Sequence, residues 1–84
     1  MEHRVVAQYI VADPEICHGK PTFRGTRLMV RQVLNMVAAG MDWDRIIWEC
    51  HGSITKEAIA EAVSLANQMF QEHARQYLAE PVSA

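Results

Sequence analysis

Met41-Asp42-Trp43-Asp44-Arg45-Ile46-Ile47-Trp48-Glu49-Cys50-His51-Gly52-Ser53-Ile54-Thr55-Lys56-Glu57-Ala58-Ile59 decides the fold, because it holds two helix starts with a helix stop between them. Asp42 is placed as an N-cap, a carboxylate able to accept backbone N–H groups that the first turn leaves free. Met41 before it and Ile46 after it have the spacing of a hydrophobic staple. Trp43, Ile46, Ile47 and Cys50 then fall at i, i+3, i+4 and i+7, one face of a helix. Gly52 is placed to end that helix. Thr55 caps the next one, with Ile54 and Ile59 as a second staple. The link His51-Gly52-Ser53-Ile54 has the length and the glycine of a helix-turn-helix.

Upstream, Val30, Val33, Leu34 and Val37 repeat the same helical spacing, and Gly40 stands where a left-handed residue closes a helix. Downstream, the apolar face of the third helix runs Ile59, Ala62, Val63, Ala66, Met69, Phe70, His73 and Tyr77. No breaker occurs before Pro81, so this helix is expected to run about 24 residues, ~36 Å at 1.5 Å per residue. That exceeds the ~26 Å diameter of so short a chain. Its last turns must fray or pack on another chain, which predicts a homodimer.

Val5-Val6-Ala7-Gln8-Tyr9-Ile10-Val11 is rich in β-branched residues and reads as a short strand, stopped by Asp13-Pro14. Between it and the helices lies the turn-rich loop His18-Gly19-Lys20-Pro21-Thr22-Phe23-Arg24-Gly25-Thr26-Arg27, with a brief strand over Thr22–Arg24. The expected fold is mainly α: a three-helix unit holding a helix-turn-helix, with a short N-terminal β element. Residues 1–84 make a single domain, with the β element and basic loop over 5–27 and the helical part over 28–79. At 84 residues and half hydrophobic, the chain has room for one small core. No run approaches the ~20 apolar residues of a membrane span. The first residues lack the apolar stretch of a signal peptide, so a cytoplasmic location is expected.

Net charge is −2, but the distribution is uneven. Residues 17–41 carry Lys20, Arg24, Arg27 and Arg31 and no acid, whereas residues 42–84 carry seven acids against Arg45, Lys56 and Arg75. With Gly19 and Gly25 allowing close backbone approach, the basic stretch reads as an anion cradle. The alternative is that its arginines pair with the acids of the second and third helices or of a partner protein. In a DNA-binding arrangement Thr55 and Lys56 would reach phosphates or base edges from the start of the third helix. Glu57 and Glu61 on that helix oppose this, since phosphates would repel them.

Cys17-His18 and Cys50-His51 invite a zinc reading, but adjacent residues rarely chelate one ion together, so reduced thiols and no metal are expected. His18 with Lys20 and Arg24 imitates a nuclease site, yet no second histidine, acidic cluster, P-loop or nucleophile motif accompanies it. No enzyme activity and no cofactor are expected.

Over residues 9 to about 70, with Asp13-Pro14, Gly19-Lys20-Pro21 and Arg24-Gly25-Thr26-Arg27 carrying the likeness, the chain resembles a prokaryotic family, the domain of unknown function 433. Two departures stand out. His18 stands where members commonly have Gly, and Cys50-His51-Gly52 replaces a frequent Tyr-Pro. The resemblance implies a homeodomain-like helix-turn-helix fold and the role of antitoxin in a toxin–antitoxin pair whose toxin resembles a PIN-domain ribonuclease. Its signature falls on Gly19, Lys20, Pro21, Arg24, Gly25, Thr26 and Arg27, and none of these receives a catalytic role from it. Gly25 is expected at positive φ, Pro21 as a stiffener, and Thr26 as a cap for the next element. The resulting reading is a DNA-binding regulator and antitoxin that contacts its partner through Lys20, Arg24, Arg27, Arg31, Thr55 and Lys56. The alternative is a protein-interaction module that neutralises its partner without touching DNA.

Overall fold

Asp42 and Thr55 act as caps in the computed structural model, which describes residues 7–78. The Asp42 carboxylate accepts the Asp44 N–H at 3.2 Å and opens α2, Trp43–Glu49. Thr55 Oγ1 accepts the Ala58 N–H at 3.2 Å and opens α3, Lys56–Glu72. Both staples close inward: Ile46, Ile54 and Ile59 are buried, and Met41 packs on the same core.

α1, Val30–Ala38, has no polar cap residue at Met29. Two other groups serve its first turn. Gln32 Oε1 accepts the Met29 N–H at 3.1 Å, and the Pro21 carbonyl accepts the Val30 N–H at 3.0 Å. α1 and α2 end in the same way, with a long backbone bond enclosing a short one. After α1, the Met41 N–H reaches Met36 O at 3.1 Å and the Gly40 N–H reaches Val37 O at 2.9 Å, with Gly40 at φ +83°. After α2, the Gly52 N–H reaches Ile47 O at 2.9 Å and the His51 N–H reaches Trp48 O at 3.0 Å. The residue that turns left-handed first after α2 is therefore His51, at φ +57°, with Gly52 next to it.

The third helix does not run unbroken towards Pro81. α3 stops after 17 residues, His73 leaves helical geometry at φ −123°, and a short α4 spans Ala74–Tyr77. The apolar pattern continues through this region, but its cover does not. Ala58, Ile59 and Ala62 are buried, while Met69 and Phe70 are exposed. A helix in water owes most of its stability to packing, so the pattern without a core fails to carry it further.

The strand is shorter than its composition suggests. β1 is Ile10–Val11 and pairs antiparallel with β2, Thr22–Phe23, placing Ile10 opposite Phe23 and Val11 opposite Thr22. The expected strand start at Val5 and Val6, the residues after Leu78 and the Tyr77 side chain lie outside the described parts. Phe23, Val30, Val33, Ile46, Cys50, Ile54, Ala58, Ile59 and Ala62 form the core, with contributions from β2 and from α1, α2 and α3. Burying Ile46, Ile59 and Val33 completely contributes about 1.5–3 kcal/mol each.

Candidate functional site

The basic stretch is shaped by three consecutive left-handed residues, Cys17, His18 and Gly19, at φ +51°, +59° and +81°. Their turn is closed by the Gly19 N–H on Ile16 O at 3.0 Å and the Lys20 N–H on Cys17 O at 3.1 Å. Side chains other than glycine resist this conformation by roughly 1–2 kcal/mol per residue. His18, with its β-carbon, is therefore strained at this position. The turn projects Lys20 into solvent.

Two contacts gather further cations around it. The Cys17 thiol donates to Arg27 O at 3.6 Å, which draws the Arg27 backbone against the turn. Lys20 and Arg31 line one groove of about 400 Å³, whose floor is Ile10, Pro21, Met29, Leu34, Leu65, Ala66 and Met69. Lys20, Arg27 and Arg31 are all exposed, and none pairs with an acid among the described residues.

Arg24 is placed differently. Its Nε donates to Gln8 O at 2.9 Å and its Nη2 to Ala7 O at 3.5 Å, so its guanidinium faces the chain's own backbone. Glu61 holds the same segment by its N–H groups, accepting from Tyr9 at 2.7 Å and Gln8 at 2.8 Å. A carboxylate that the sequence sets on the exposed face of α3 is thus a half-buried tether for the N-terminal segment.

The start of α3 is occupied by its own contacts. Thr55 spends its hydroxyl as the N-cap, and Lys56 Nζ lies 3.1 Å from Asp44 Oδ1. Both partners are mostly exposed, so that pair is worth at most about 1 kcal/mol. Arg45 likewise bonds Glu49 at 2.9 Å and stacks over Trp48, 5.2 Å from the ring centroid. Trp48 is 70% exposed. Its position off the Trp43, Ile46, Ile47, Cys50 face is the sequence signal for that exposure.

Three of the signature residues, Pro21, Gly25 and Thr26, are architectural. Gly25, at φ +80°, sits in the turn closed by the Thr26 N–H on Phe23 O at 2.9 Å. Thr26 Oγ1 donates to Phe23 O at 2.8 Å and accepts the Leu28 N–H at 3.0 Å. Thr26 therefore ties the loop, while the cap position of α1 falls to Met29. Pro21 supplies the carbonyl that meets Val30.

Both cysteines are free thiols, Cys17 half-buried and Cys50 buried. Burial pushes the Cys50 thiol up, and the neighbouring Glu49 carboxylate acts in the same direction. Among the described residues no three His, Cys, Asp or Glu side chains converge to hold a metal, and no helix is long and apolar enough to cross a membrane.

No curated protein and no solved structure matches the chain. A family described as protein of unknown function (DUF433) matches residues 10–66, the span that contains the strand pair, the left-handed turn, the basic stretch and the first part of α3. The chain belongs to the DUF433 family.

Proposed function

We propose that the protein is a DNA-binding regulator of the homeodomain-like helix-turn-helix kind, working in the cytoplasm as the antitoxin of a toxin–antitoxin pair with a PIN-like ribonuclease. It acts by binding and carries out no chemistry of its own. α1, α2 and α3 serve as the three helices of the unit. The observation that carries the reading is that Lys20 and Arg31 line one groove while the Arg27 backbone meets the Cys17–Gly19 turn, all three side chains being exposed and unpaired with any described acid. Three acids of the helices are engaged elsewhere, Asp44 by Lys56, Glu49 by Arg45 and Glu61 by backbone N–H groups.

Phosphates meet this basic segment, not the start of α3. There Thr55 is spent, Lys56 is partly neutralised and Glu57 repels. A single module of this size offers only ~600–1,000 Å² to DNA, so a homodimer presenting two basic segments binds more tightly. A gel-shift titration on DNA from upstream of the protein's own gene tests this. The combined variant Lys20→Gln, Arg27→Gln, Arg31→Gln abolishes the shift, and Lys56→Ala leaves it. Binding that survives the triple variant refutes the assignment.

A second reading, capture of the toxin without DNA, draws support from Trp48. Trp48 is 70% exposed, and tryptophan is among the residue types enriched where protein interfaces are anchored. Under it, Trp48→Ala abolishes co-purification with the PIN-like partner.

A further inference from the structure

α3 buries the first half of its apolar face and leaves the second half in water. Ala62 is 1% exposed, whereas Met69 and Phe70 are 59% and 42% exposed. Ala66 and Phe70 come after Ala62 at successive i+4 positions, so they continue the same stripe. Ala62 and Ala66 of that stripe, with Leu65 and Met69, form one wall of the groove between α3, α1 and the Lys20–Pro21 segment, and Phe70 lies just beyond it.

The groove defines its own cover. Its floor is apolar, so the cover is apolar. Its rim holds Lys20 and Arg31, and residues 17–41 supply no carboxylate, so the cover brings an acid. Ala66 on the floor leaves room for a helix to approach to the usual 8–10 Å between axes. The chain itself carries such a helix without a partner: the distal turns of α3, with Met69 and Phe70 exposed and Glu72 exposed three residues beyond Met69.

We propose that a second copy of this chain covers the groove. The distal turns of α3 from two protomers cross about a two-fold axis, each placing Met69 and Phe70 in the other's groove and Glu72 beside the other's Lys20 and Arg31. A two-fold contact uses the same patch twice, and this patch holds both the apolar surface and the opposite charges such a contact needs. One acid against two cations leaves each rim net positive, and Arg27, which does not line the groove, stays outside the contact. The assignment rests on the homodimer part of the reading above and not on its DNA part.

Sedimentation equilibrium of the full chain at tens of micromolar tests it. The expected mass is twice the 9.5 kDa of one chain. Ala66→Arg and Met69→Glu each weaken association roughly tenfold or more while far-UV circular dichroism keeps its helical signal. The pair Lys20→Glu with Arg31→Glu loosens the dimer, and adding Glu72→Lys restores it. Trp48→Ala leaves it unchanged. A monomer at every concentration overturns both the face and the homodimer. A dimer indifferent to Ala66→Arg and Met69→Glu, dissociated by Trp48→Ala, or not restored by the charge exchange overturns the face alone.

Discussion

Glu61 and Arg24 hold one short piece of backbone between them, Glu61 by its N–H groups and Arg24 by its carbonyls. Glu61, from α3, takes the N–H groups of Gln8 and Tyr9, and Arg24, from the turn after β2, donates to the carbonyls of Ala7 and Gln8. Each ion satisfies groups that a strand of only Ile10–Val11 does not pair. Charge-assisted bonds of this kind exceed neutral ones, with less gain where water competes. Glu61→Ala is expected to cost about 2 kcal/mol and the more exposed Arg24→Ala about 1 kcal/mol in urea denaturation. Arg24→Ala leaves DNA affinity within about twofold, because its guanidinium is committed to backbone. An Arg24→Ala chain of unchanged stability and lost DNA binding would reverse the assignment.

Local signals make most of the helical frame legible. Asp42, Thr55, Gly40 and both staples act through neighbours within five residues, and sequence spacing captures such effects. The roles of Glu61 and Arg24 were not legible, since their partners are set by how the N-terminal segment lies across α3 and the turn after β2. Lys56 and Asp44 meet only because α2 and α3 fold back on each other. The end of α3 escaped for a related reason: Met69 and Phe70 keep the helical period, but the period does not tell whether anything covers it. Cation clustering at 20–31 was legible as charge, and the groove joining Lys20 to Arg31 was not.

His18 and His51 hold left-handed backbone where glycine is less strained. His18→Gly and His51→Gly are each expected to raise stability by up to about 1 kcal/mol, the relieved strain being partly offset by a more flexible unfolded chain. Urea midpoints measure this. A clear loss of stability at His18→Gly would mean that the imidazole makes a contact outweighing its strain.

Thr22 is fully buried and its Oγ1 has no hydrogen-bond partner. A buried hydroxyl left unpaired costs more than a methyl of the same shape. Thr22→Val is therefore expected to be neutral or stabilising by about 1 kcal/mol in thermal unfolding. A loss larger than that would show that the hydroxyl is satisfied in solution.

The Cys50 thiol is held above its ordinary value of 9.0 by burial, with Glu49 adding to the effect. The unfolded chain then loses this proton at lower pH than the folded one does. The resulting contribution to stability is full below the unfolded value and is lost as pH rises through the folded one. Urea midpoints should fall above about pH 9, and Cys50→Ala, though less stable overall, should lose that component. With a thiol reagent at neutral pH, half-buried Cys17 reacts first and Cys50 only on unfolding. Equal reaction rates would contradict the burial of Cys50.

The salt dependence of affinity for DNA from upstream of the gene bears most directly on the role of the basic segment. Three phosphate contacts per protomer, through Lys20, Arg27 and Arg31, give a slope of log affinity against log salt of about −2.7 per protomer. Each single change to glutamine should reduce that slope by about 0.9, and Lys56→Ala should leave it alone. A slope unaltered in the triple variant, or no binding at low salt, would contradict the claim that this segment holds a polyanion.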